Sequence, residues 1–217
     1  EIRLSLVGSE MCIRDRNMSN NDLILLDNIA YFTELYDKYS ENKENFTISS
    51  IVEGYKNGDY STPIDIVASD DFDKIISYIE ANPSLMELEV INVSETDSGT
   101  HGFCVKDSDN NVTVIYSGDY SYSDSWVDNF VGAVQEDSTE QENALAFFEE
   151  SMKIAESMGE VGNVTVSGHS KGGNLAQYVT ILSGKVDYCL SYDGQGFSDL
   201  FMEEYGCLLY TSPSPRD

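Results

Sequence analysis

Leu25, Leu26, Ile29, Phe32, Leu35 and Tyr36 recur at helical spacing and predict an amphipathic helix over residues 22–39. Residues 47–57 predict a short second helix, and Asp71–Ala81 a third, closed by Asn82-Pro83 because the residue before proline is pushed out of the helical region. The pattern then changes to strands. Leu85–Val93 is the first, and Gly102–Lys106 and Val112–Tyr116 form a hairpin about the turn Asp107-Ser-Asp-Asn-Asn111. A polar, tyrosine-rich loop, Ser117–Ser125, follows. In the second half Ser138-Thr-Glu-Gln141 has the form of a capping box, and the helix behind it carries Leu145, Phe148, Met152 and Ala155 on one face and ends at Gly159. Val164–Ser167 predicts a strand, Asn174–Leu182 a helix closed by Gly184, Val186–Tyr192 another strand, and Ser198 the start of a further helix. Helix and strand alternating in this way predict an α/β protein with parallel strands.

Charge narrows the classes of partner. Twelve basic side chains face 39 acidic ones, a net charge of −27. Such a surface repels phosphates and argues against nucleic acid or an anionic membrane as partner. No apolar run approaches the length of a membrane span, so no stable membrane insertion is expected. Four cysteines in 217 residues are too few for a disulfide scaffold, and Cys104 and Cys189, both in strand-like runs, are expected to be reduced core thiols.

The two ends differ from what lies between them. All four arginines fall within residues 1–16 and 207–217, and 17–206 holds none. The tail C-L-L-Y-T-S-P-S-P-R-D can be encoded by DNA whose reverse complement, in another frame, encodes L-V-G-S-E-M-C-I-R-D, residues 6–15. Both ends resemble a translated sequencing adapter. They are expected to be foreign to the protein, leaving 17–206 as its single domain. They carry four acids and four bases, so the net charge of 17–206 is unchanged. The natural C-terminus is then expected beyond residue 206. Met18 is a candidate start, and the absence of a basic leader behind it points to the cytoplasm.

Between the predicted strand at 164–167 and the helix from 174 stands Gly168-His169-Ser170-Lys171-Gly172, the G-x-S-x-G pattern of a nucleophile elbow. The serine sits on a strained strand-to-helix turn. Glycines two residues to either side let strand and helix approach. The helix N-terminus and the Lys171 N–H face the oxygen that becomes anionic in acyl transfer. The spacing of a phosphate-cradling loop, G-x-x-x-x-G-K-[ST], is absent.

Gly168–Ala176, G-H-S-K-G-G-N-L-A, resembles the elbow of the Mbeg-like domain family, α/β-hydrolases close to the class 3 lipases. Val114-Ile-Tyr-Ser-Gly-Asp119 lies where that family has a strand ending in F-R-G-T. Trp126-Val-Asp-Asn-Phe130 resembles its W-x-x-D-F, and Asp193-Gly-Gln-Gly-Phe197 its D-G-P-G-F. The resemblance implies a three-layer α/β-hydrolase-like sandwich with a mostly parallel sheet, incomplete at the C-terminus. It also implies serine-hydrolase chemistry on an ester or thioester, with a small-molecule or lipid-like substrate and no metal or cofactor. The second oxyanion N–H would come from the loop after the F-R-G-T strand, near Asp119. Here Ser117 replaces the arginine and Asp119 the threonine, which brings a carboxylate toward a developing anion.

The remainder of a triad is harder to find. Its order in this fold is serine, acid, histidine. The two histidines, His101 and His169, both precede Ser170. His169 is expected to pack or hydrogen-bond beside the serine, and His101 to be an exposed loop residue. The base is therefore expected beyond residue 206, and the chain as it stands is expected to be nearly inert. Asp193, at the end of the strand after the elbow helix, is the candidate acid, with a turn-capping aspartate as the other reading. Trp126 fits core or rim packing, and the tyrosines at 116, 120 and 122 fit the cover of a strand edge as well as an acyl pocket. The competing functional class is a non-catalytic binding module that keeps the elbow, and Asp119 is the residue that favours it.

Overall fold

Local capping signals shape the N-terminal half. The chain is described by a computed structural model at residues 18–61, 69–94, 100–118, 139–197, 201, 203 and 205. Ser19 and Asp22 cap each other reciprocally and open helix α1 (Asn20–Ile29). Helix α2 (Leu35–Glu41) follows, and Thr47 and Ser50 repeat the reciprocal cap ahead of α3 (Ile48–Asn57), which ends at Gly58 in the left-handed conformation, φ 82°. Helix α4 spans Ser69–Glu80. Asn82, the residue expected to close α4, accepts a hydrogen bond from the Ser84 N–H and so caps the single turn α5 (Pro83–Met86).

Two expectations need correction here. The helix expected over 22–39 is two helices separated by a turn, with Tyr31 N–H donating to Asn28 O (3.3 Å) and Phe32 N–H to Ile29 O (3.1 Å). The turn lets neighbouring aromatic residues face different parts of the molecule. Phe32 enters an aromatic cluster with Tyr55, Tyr60 and Phe72, while Tyr31 reaches the loop ends of the sheet. The strand expected from Leu85 starts instead at Glu89, because the Asn82 cap winds the preceding residues into α5.

Five strands, β1 (Glu89–Val93), β2 (Gly102–Lys106), β3 (Val112–Tyr116), β4 (Val164–His169) and β5 (Tyr188–Tyr192), lie in the order β1-β2-β3-β4-β5. β1–β2 and β2–β3 pair antiparallel, and β3–β4 and β4–β5 pair parallel. The sheet is thus mixed rather than mostly parallel. The tight β2–β3 hairpin forces reversal, whereas helices α6 (Thr139–Met158) and α7 (Lys171–Ser183) carry the crossovers that keep β3, β4 and β5 aligned.

Alternation along the strands divides the apolar residues between two cores. Val90, Val93, Phe103, Val105 and Ile115 pack with α1 to α5, while Cys104, Val112, Val114, Tyr116 and Val166 pack with α6 and α7. A bulge in β1 between Val90 and Asn92 lets Ile91 join the second core while Val90 and Val93 face the first. The outcome is three layers with the sheet in the middle. Cys104 and Cys189 are free and buried, in agreement with the reduced-thiol reading. Tyr116 is fully buried and its hydroxyl donates to Ala144 O (2.7 Å), so it is a core residue and lines no open pocket. Among the described residues, no helix is long and apolar enough to cross a membrane. Both ends, Tyr120, Tyr122, Trp126–Phe130 and the helix start at Ser198 lie outside the described residues.

Candidate active site

The parallel register brings the C-terminal ends of β3, β4 and β5 to one edge, with Tyr116 opposite Gly168 and His169 opposite Tyr192. Ser170 stands between β4 and α7 at φ 56°, ψ −121°, outside the regions an L-residue ordinarily occupies. Such a conformation costs on the order of 1–3 kcal/mol and persists only where the surroundings impose it. Here they do: Ser170 N–H donates to Tyr192 O (3.0 Å), and Ser170 O accepts from Gly173 N–H (3.0 Å) and Asn174 N–H (3.3 Å). Lys171 and Gly172 are the first two residues of α7, so their N–H groups have no intrahelical acceptor and stand at the positive end of the helix dipole.

The elbow glycines make the close approach possible. A Cβ on Gly168 would strike the backbone of Gly172, and one on Gly172 would strike the carbonyls of Tyr116 and Ser117. Both obstacles are backbone and cannot rotate away. Gly172→Ala is therefore expected to destabilise the fold by about 3 kcal/mol, the upper end of overpacking costs. Gly184→Ala, with nothing within 4 Å of its Cβ and only its φ of 61° to strain it, should cost about 1 kcal/mol. Urea midpoints of the two variants check this, and equal midpoints would refute the close-packing account.

Beside the serine runs the loop that leaves β3. A Cβ on Gly118 would lie 3.3 Å from Ser170 Cβ. The Gly118 N–H donates to the Tyr31 hydroxyl (3.0 Å), and the same hydroxyl is 2.9 Å from His169 Nδ1. His169 is half-buried between the Tyr31 and Tyr192 rings, with centroids 6.3 and 5.6 Å away. Burial lowers its pKa below the ordinary histidine value, against an opposing pull from the Asp193 carboxylate. The expectation that His169 packs and hydrogen-bonds beside the serine therefore holds, and its partner is Tyr31.

Asp193 follows β5 in a left-handed conformation, φ 52°, and is exposed. It hydrogen-bonds neither Ser170 nor His169. Its loop is tied to α7 by Asn174, whose Nδ2 donates to Gln195 O (3.3 Å) and Gly196 O (3.2 Å). The Lys171 ammonium pairs with Glu140 at the start of α6, directing the charge away into an ion pair while the Lys171 N–H stays at the helix start. His101 is half-buried rather than an exposed loop residue: its carbonyl accepts from Ser117 N–H (2.9 Å), adding a step to the β2–β3 ladder at the same edge as Ser170. Asp119 lies outside the described residues. Among the described residues, no base is hydrogen-bonded to the Ser170 hydroxyl, and no group of three or more His, Cys, Asp or Glu is placed to hold a metal ion.

Beneath the elbow is a buried acid. Asp27 of α1 is 2% exposed, and its Oδ1 accepts from the Ser167 hydroxyl (2.8 Å) on β4. Among the described residues, its Oδ2 has no hydrogen-bond partner. Burial pushes this carboxyl up to about 8, and the Ser167 hydrogen bond opposes the shift only in part. Neither Tyr31 nor Asp27 is distinguishable in the sequence, since both stand inside an amphipathic pattern that accounts for them as ordinary helix positions.

A protein-family model described as Mbeg1-like matches residues 92–211, more than half of the chain. The match takes in the end of β1, β2 to β5, α6, the elbow and Asp193, and excludes α1 to α5. No curated protein and no solved structure matches the chain.

Proposed function

The chain belongs to the Mbeg1-like family, and on that premise we propose that it is a serine hydrolase of the α/β-hydrolase type, acting on the ester or thioester of a small or lipid-like molecule through Ser170. The observation that carries the reading is the Ser170 backbone, held at φ 56° between a strand and a helix N-terminus. In the proposed reaction Ser170 Oγ attacks the acyl carbon and its proton passes to a histidine base. That histidine returns the proton to the departing alcohol or thiol as the bond to the acyl carbon breaks. Water then repeats the sequence and frees the serine. The Lys171 N–H stabilises the oxyanion, together with the Asp119 N–H if the family pattern carries over. The base is assigned to chain beyond residue 206, with Asp193 as the candidate acid. The reaction so written calls for no metal or cofactor.

A fluorophosphonate probe tests it on the protein extended through its natural stop. The Oγ–P bond forms as the P–F bond breaks, with fluoride and the serine proton leaving. The expected result is one phosphonyl adduct, mapped by mass spectrometry to the peptide containing Ser170. Cys104 and Cys189 do not compete, because burial pushes their thiols up to about 12 and about 11. A protein that stays unmodified at Ser170 would instead support the non-catalytic binding module.

A further inference from the structure

We infer that Tyr31 is a positioning residue for Ser170: its one hydroxyl ties the loop after β3, at Gly118, to the His169 ring, and so fixes what stands on either side of the nucleophile. The inference rests on the serine-hydrolase reading for its effect on rate, and on the geometry alone for the contacts. Three observations carry it. The Gly118 N–H donates to Tyr31 Oη (3.0 Å), Oη is 2.9 Å from His169 Nδ1, and the Gly118 backbone lies so close to Ser170 that a Cβ there would be 3.3 Å from the serine Cβ. Tyr31 is 5% exposed, and its bond with Gly118 is buried while that with His169 is partly so.

The break between α1 and α2 is what brings Tyr31 there. A helix continuing through residues 30–34 would carry the ring around the helix axis with its neighbours, whereas the turn sends it toward β4 while Phe32 stays in the helical core. This N-terminal segment lies outside the part of the chain that the family model matches, so a residue beyond that region supports the elbow.

The arrangement also orients the imidazole. With the ring neutral, the phenol donates to Nδ1 and the imidazole proton sits on Nε2. A donor at Nδ1 stabilises the neutral ring, so removing it should raise the pH at which His169 titrates. Among the described residues, the other groups facing the ring are Tyr192 and the Asp193 carboxylate, and neither changes in the test below.

The test compares wild type with Tyr31→Phe and Tyr31→Leu, each labelled with ¹⁵N-histidine. In the 217-residue chain, which supplies the spectra, two imidazoles contribute, and a His101→Gln version of each protein assigns them. The expected result is a wild-type His169 protonated at Nε2 when neutral, and a higher titration midpoint with altered tautomer signals in both variants. In the protein extended through its natural stop, phosphonylation of Ser170 should slow by roughly 10–100-fold in both variants, the range expected when a reacting group is misplaced by about 1 Å. Both variants leave the buried Gly118 N–H without its acceptor, and Phe should retain more thermal stability than Leu because it keeps the ring. If Phe restores the wild-type titration and labelling rate, Tyr31 only packs and the inference is overturned. If wild-type Ser170 does not label, the hydrolase reading fails by itself, and the histidine spectra still decide the Tyr31 contact.

Discussion

Ser170→Ala is expected to lower hydrolysis of a p-nitrophenyl ester by roughly 10⁴–10⁶-fold in the protein extended through its natural stop, the range seen when one member of a serine triad is removed. What survives is the contribution of the oxyanion donors and of substrate binding, which together leave about 10³–10⁴-fold over water in such knockouts. The substitution isolates chemistry from folding. Alanine keeps the Cβ, so the strained backbone at φ 56° is neither relieved nor worsened. The hydroxyl is hydrogen-bonded to no described residue, so its loss leaves no buried partner unsatisfied, and the urea midpoint should move by less than about 0.5 kcal/mol. The helix start is untouched, with Ser170 O still accepting from Gly173 and Asn174. A steady-state rate within tenfold of wild type would show that Ser170 is not the nucleophile. A large loss of stability alongside the loss of rate would show that the side chain holds the turn, a role the hydrogen bonds assign to the backbone.

The elbow was legible because each of its requirements is local. Two glycines, a serine and the change from strand to helix periodicity all fall within a dozen residues, and a Cβ on either glycine of the pattern would strike backbone. The β2–β3 hairpin was legible for the same reason, since Asp107 accepts from the Asp109 and Asn111 N–H groups within its own turn. Less could be read where a position depends on a distant partner. Periodicity over 22–39 records which residues are buried, but not that Tyr31 and Phe32 are buried in different places, so it runs through the break between α1 and α2. Strand order is likewise a long-range property, and the antiparallel half of the sheet followed from the hairpin only once β1 was added to it. Asp27 escaped because an aspartate on an amphipathic helix ordinarily marks the solvent face, and only the position of Ser167 on β4 explains it.

Asp27 has a consequence for stability that can be measured with no assumption about activity. Burial pushes its carboxyl up to about 8 in the folded protein, from an ordinary value of 3.8. Below the lower value both states hold the proton and nothing is lost. Between the two the unfolded chain releases the proton while the folded protein keeps it, so the unfolded state gains and stability falls as pH rises, levelling off above 8. A shift of this size corresponds to a loss on the order of 5 kcal/mol across the window, as each pKa unit is worth about 1.4 kcal/mol. Asn is the close mimic of the neutral acid: its Oδ1 can still accept from Ser167, and its amide takes the place of the partnerless Oδ2. The expected result is that Asp27→Asn matches wild type within about 1 kcal/mol at pH 4.5 and exceeds it by several kcal/mol at pH 8.5. Urea unfolding across that range checks it. The many surface acids contribute nearly equally to both proteins and cancel in the difference. Parallel curves would mean that Asp27 is ionised in the folded state, with a partner for Oδ2 that offsets its burial. A rising difference would mean that β4, the strand leading into Ser170, rests through Ser167 on an acid that is neutral in the folded protein.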